Sequence, residues 1–159
     1  LAKNSTVFIL KRNLAKQCLS YLTRGDFANI TLIWQWYLHP SYKLKIVNPD
    51  HFKKFNPISL PLWYCYELAA RQEYYVQKYS NKIKFIEISL EEITSDDGAL
   101  RLLKELGVKD KCEIPAPQNK NFNSPNIDIQ NMVNNAVKSI NFDVESIVKN
   151  IIKKGFSFE

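Results

Sequence analysis

No CxxC pair occurs in this chain: its three cysteines, Cys18, Cys65 and Cys112, lie far apart. An odd, sparse set argues against a disulfide framework and against a zinc site. Buried free thiols in a reducing, cytoplasmic compartment are the expectation, with no metal. No apolar run approaches the ~20 residues of a membrane-spanning helix. No secretory pattern of basic segment, apolar segment and cleavage site opens the chain. Basic residues are spread rather than blocked together, which argues against a nucleic-acid-binding tail. No internal repeat is visible. Histidine is scarce: only His39, before Pro40, and His51, in a proline-bounded loop. Each either faces a substrate or is simply exposed.

What is present is a chain of 159 residues, 45% hydrophobic and 24% charged, the balance of a globular protein with a sizeable core. The net charge of +6 favours anionic partners: nucleotides, sulfated or phosphorylated compounds, nucleic acid or an anionic membrane surface. Aromatics reach 13% and supply bulk for a core or a groove. Trp34, Trp36, Tyr37 and Trp63 either line an acceptor groove or fill the core.

Thr6 to Leu10 is β-branched and apolar almost throughout, as in a strand covered on both faces. Asn13 is placed to cap a helix from Leu14 to Thr23, stopped at Arg24-Gly25. Asp26 then opens a second helical pattern, Phe27 to Tyr37. Residues 42–61 are irregular, with a short helix at Asp50 to Phe55, and a long helix runs from Leu62 to Tyr79. Ile83 to Ile88 alternates as a second strand. A turn of helix at Glu91 to Ile93 precedes a helix from about Asp97 to Leu106, capped by Ser95 or Asp96 and ended by Gly107.

This β–α order predicts an α/β fold with a parallel sheet and many helices. Two strands alone do not make a self-sufficient sheet. The remaining strands are weak ones, lie outside this chain, or come from a second copy. A Pro- and Asn-rich linker, 113–126, separates the α/β domain, 1–112, from an amphipathic helical tail, 127–159. Such apolar stripes dock on a core or a partner more often than on a membrane.

The strand ends at Arg12, at the carboxyl edge of the sheet, where open α/β folds bind ligands. Ser20 follows eight residues later on the helix. Arginine presents a planar fork of donors to phosphate oxygens, serine adds another, and the helix N-terminus adds free N–H groups. On the residues alone two readings stand: an anion site, or a solvated Arg12 and a surface Ser20. Glu67 and Arg71 stand four residues apart on the long helix and can pair with each other.

Leu10-Lys11-Arg12-Asn13 followed by Ser20-Tyr21 resembles the segment with which sulfotransferases hold the 3′-phosphate of the sulfuryl donor PAPS. Trp63, Glu67 and Arg71 look like that family's long helix. Lys82 to Val108 is similar to a later family segment, with Glu91 or Glu92, Asp96 or Asp97, and Leu106-Gly107 at its marked positions. The resemblance covers Thr6 to Val108. It implies a partial sulfotransferase-like (P-loop-like) α/β fold. Arg12 and Ser20 would be ligands of PAPS or of its product PAP. The complete enzyme would move a sulfuryl group to a hydroxyl or amine of a small molecule or glycan.

The family's 5′-phosphosulfate loop belongs before Val7, where six residues stand and none forms it. The loop that closes over the nucleotide is echoed only at Lys153 to Phe156. In-line transfer needs cationic stabilisation and a positioned base. The expectation is therefore the C-terminal part of a longer enzyme, inactive alone, with the catalytic residues unknown. The alternative is a non-catalytic module that oligomerises through its sheet edge and helical tail. A nucleic-acid binder is the weakest of the three.

Overall fold

The structure is a computed structural model and describes residues 5–29, 37–109, 126–141 and 143–158. The chain is mixed α/β and rich in helix. It divides into two units. The smaller comprises Leu1–Arg12 with Ile83–Phe122, the larger Asn13–Lys82 with Asn123–Glu159.

In the smaller unit, β1 (Thr6–Lys11) pairs with β2 (Lys84–Ser89) in parallel, Phe8 beside Ile86 and Leu10 beside Ile88. This is the only sheet among the described residues. The β-branched, apolar composition of both strands favours this pairing. The sequence suggested cover on both faces of β1, and here the structure differs. Ile9 is buried, but Leu10 keeps 47% of its surface exposed. A two-stranded sheet leaves much of each face to solvent, so successive residues of β1 fare differently.

Ser89 ends β2 and caps the single turn α3 (Leu90–Ile93) through a reciprocal box with Glu92. Ser95 caps α4 (Asp96–Glu105) by accepting from the Gly98 N–H at 3.2 Å. Gly107, at φ 73°, ends it in the left-handed region open to glycine. Gly98 is required for a different reason: a Cβ there would lie 1.8 Å from the Glu92 carbonyl oxygen. The two short helices approach each other across that gap.

In the larger unit, α1 (Leu14–Arg24) begins at the cap Asn13, whose side chain accepts from the Lys16 N–H at 3.1 Å. Gly25, at φ 71°, ends it. Asp26 opens no helix at Phe27, since residues 27 and 28 form a turn. It sits in a turn and accepts from Arg24 Nε at 3.0 Å. Residues 30–36, most of the expected second helix, lie outside the described residues, as does the 113–125 part of the linker.

A 3₁₀ helix, Pro49–Phe55, leads to the long α2 (Ser59–Tyr79), which starts three residues before its expected first residue. Pro61 falls in its first turn, where a missing N–H costs nothing. The tail forms α5 (Ile127–Ser139) and α6 (Val144–Lys153). Val133 and Val148 are fully buried in one core with Cys18, Leu62, Trp63, Cys65 and Tyr74. The tail's apolar stripes thus dock on their own chain, α5 against α1 and α6 against α2.

Candidate functional site

The junction of β1 and α1 is built by three consecutive residues. Lys11 closes the strand and forms an ion pair with Glu87 at 2.6 Å, both side chains about half exposed. Arg12 follows, one position beyond the strand, and is exposed. Asn13 caps the helix. Ser20 lies on α1, half buried. Among the described residues neither the Arg12 guanidinium nor the Ser20 hydroxyl has a hydrogen-bond or ion-pair partner. No acidic residue occupies the first turn of α1, so the positive end of its dipole is not neutralised locally. Arg12 belongs to the smaller unit, Asn13 and Ser20 to the larger.

The residues of the long helix that matched the family pattern serve the interior of the larger unit. Glu67 is fully buried. Its carboxylate accepts from the Ile46 N–H at 2.9 Å, the Val47 N–H at 2.8 Å and Arg71 Nε at 2.8 Å. Arg71 also donates to the Leu44 carbonyl at 2.7 Å, and its guanidinium lies 4.4 Å from the centre of the Phe158 ring. Trp63 Nε1 donates to the Val47 carbonyl at 2.9 Å. Trp63, Glu67 and Arg71 stand at successive i, i+4 positions and share one face of α2. That face satisfies four backbone groups of residues 44–47, which join no sheet. Burial pushes the Glu67 carboxyl above its ordinary value, against the pull of the Val47 N–H and Arg71. The expected Glu67–Arg71 pair is present, and its reach to residues 46 and 47 is additional.

Among the aromatics proposed for a groove, Tyr37 packs with Tyr21, Phe27 and Tyr64, ring centres 5.0–6.0 Å apart. Burial pushes the Tyr64 phenol well up, with Tyr21 and Tyr37 adding to it. Trp63 is a core residue, and Trp34 and Trp36 lie outside the described residues. His39 Nδ1 meets the Ser41 hydroxyl at 2.8 Å and accepts from the Ser41 N–H at 3.2 Å, closing a local turn. His51 is exposed on the 3₁₀ helix. Glu92 completes the α3 cap, Glu91 is exposed, and Asp96 and Asp97 favour the N-terminal end of α4.

Cys18 and Cys65, both fully buried, interact where α1 packs on α2. The Cys18 side chain and burial together push the Cys65 thiol far up. Their meeting had no signal in the sequence beyond apolar neighbours. Among the described residues, no helix is long and apolar enough to cross a membrane.

Compared with known proteins, the chain matches no family model, no curated protein and no solved structure.

Proposed function

We propose that the protein is sulfotransferase-like and binds the 3′-phosphate of PAPS or PAP through Arg12 and Ser20. In a complete parent enzyme, a sulfuryl group would pass to a hydroxyl or amine acceptor. One observation carries the reading: an exposed arginine stands directly between a parallel strand and a side-chain-capped helix that bears Ser20. Strand ends of this kind are where α/β folds meet anions. The unpartnered Arg12 and Ser20 side chains and the acid-free first turn of α1 support it further. The sequence resemblance supplies the identity of the anion.

Glu67 and Arg71 take no part, since both are committed to residues 44–47. In this reading the isolated chain holds the nucleotide without transferring sulfate. Calorimetry with adenosine 3′,5′-bisphosphate tests it. Binding should weaken about 10- to 100-fold in Arg12→Ala, the loss of one charge-assisted contact, and less in Ser20→Ala. Equal binding by wild type and Arg12→Ala would discard the assignment.

A further inference from the structure

We propose that Phe156, Ser157 and Phe158 form a latch that controls the segment Leu44–Val47 through Arg71. The device lies within the larger unit and does not depend on Arg12 or Ser20. It begins where α6 ends. The Gly155 N–H donates to the Ile152 carbonyl at 3.0 Å, and the Phe156 N–H to the Ile151 carbonyl at 3.0 Å. Gly155 stands at φ 80°, the left-handed stop that turns a chain back from a helix. The residues that leave this turn lie on α2. The Phe156 ring is centred 5.9 Å from that of Tyr74. The Phe158 ring is centred 4.9 Å from Tyr74 and 6.2 Å from Tyr75. The Ser157 hydroxyl accepts from Lys78 Nζ at 2.9 Å. All three latch residues are half buried.

The end of the latch meets Arg71, whose guanidinium carbon lies 4.4 Å from the Phe158 ring centre. The same guanidinium donates to Glu67 at 2.8 Å and to the Leu44 carbonyl at 2.7 Å. Glu67 in turn accepts from the Ile46 and Val47 N–H groups. Four printed contacts therefore run in series from Phe158 to the backbone of residues 44–47. A ring beside a guanidinium attracts its charge. It also keeps water from that side, and charge-assisted bonds are stronger where water is excluded. Arg71 keeps 22% of its side-chain surface exposed and Glu67 none, so Arg71 is the member of the pair that borders water. Phe158 stands at that border.

Lifting Phe158 leaves α6 docked, because Val148 is fully buried in the core. It wets Arg71 and weakens the hold on residues 44–47. Local segments with few buried contacts open far more readily than the whole molecule. Closed and open latch are two states, and the Ile46 and Val47 amides report which is occupied.

Amide hydrogen exchange of the full chain, resolved by residue with NMR, tests the latch. Phe158→Leu keeps apolar bulk and removes the ring. Exchange at Ile46 and Val47 should speed about 3- to 30-fold, the scale of one cation–π contact. Ser157→Ala frees the latch from Lys78 and should speed the same two amides about 2- to 10-fold. In wild type both rates should hardly respond to low urea, because a local opening exposes little surface. The decisive comparison repeats Phe158→Leu in an Arg71→Lys background, which keeps a charge for Glu67 but loses the planar fork. There the ring's effect on Ile46 and Val47 should fall below about twofold. Rates unchanged by Phe158→Leu overturn the proposal. So does an equal effect in both backgrounds, which would mark the ring as ordinary packing on Tyr74 and Tyr75. A urea response equal to that of global unfolding overturns it as well, and this measurement needs no variant.

Discussion

Glu67 accepts a hydrogen bond from the Val47 N–H at 2.8 Å, joining the middle of the longest helix to a segment twenty residues earlier. The carboxylate is fully buried and meets three donors, two from backbone and one from Arg71. A buried charge is tolerated only when its partners are complete. Removing it strands all three donors.

Glu67→Ala should therefore cost about 3–5 kcal/mol, the scale for breaking a buried pair from one side. Glu67→Gln retains one acceptor oxygen and should cost about 1–3 kcal/mol. Urea unfolding monitored by circular dichroism measures both. A loss under about 1 kcal/mol in Glu67→Ala would mean the segment is held by its apolar contacts alone.

The same residue imposes a pH dependence. Burial raises the Glu67 carboxyl in the folded protein above its unfolded value near 4.5. The folded state then binds the proton more tightly. The associated stability is fully present below about 4.5 and is lost as pH rises through the folded value. Wild type should gain on Glu67→Gln as pH falls through this window, because the other carboxylates titrate alike in both. A flat difference would show that Arg71 and the two N–H groups cancel the burial.

Gly98→Ala places a methyl group on the Glu92 carbonyl oxygen, 1.8 Å away. Backbone must move, because the two nearest obstructing atoms are the Glu92 carbonyl oxygen and carbon rather than the end of a side chain. Destabilisation of about 1–3 kcal/mol is expected, on the scale of overpacking. An unchanged melting temperature would show that α3 and α4 are freer to separate than their caps suggest.

Cys18 and Cys65 should resist thiol reagents in the native protein. Both are fully buried, and the Cys65 thiol is pushed far up, so little reactive thiolate forms. In a Cys112→Ser background, Ellman's reagent should find no fast thiol until denaturant is added. Two fast thiols under native conditions would contradict the packing of α1 on α2.

Local signals carried most of the fold. Asn13, Ser95 and Gly107 marked helix ends because caps and stops act within a few residues. The early start of α2 was hidden by Pro57 and Pro61, which resemble breakers although Pro61 suits a first turn. The apolar run of β1 suggested more cover than Phe8 and Leu10 receive, because composition does not count neighbouring strands. Glu67 was legible as a partner for Arg71 but not as a partner for residues 46 and 47. That contact joins positions whose spacing follows no helical or strand period. For the candidate site, the placement of Arg12 and Ser20 was readable from the cap and the strand end. The anion proposed for them was not: physics supplies donors, and only the family resemblance names a 3′-phosphate.

The most direct measurement is calorimetric titration of adenosine 3′,5′-bisphosphate into wild type and Arg12→Ala. Saturable, salt-sensitive binding by wild type, weakened about 10- to 100-fold in the variant, is the expected result. No binding by wild type, or equal binding by both proteins, would contradict the proposed nucleotide binding.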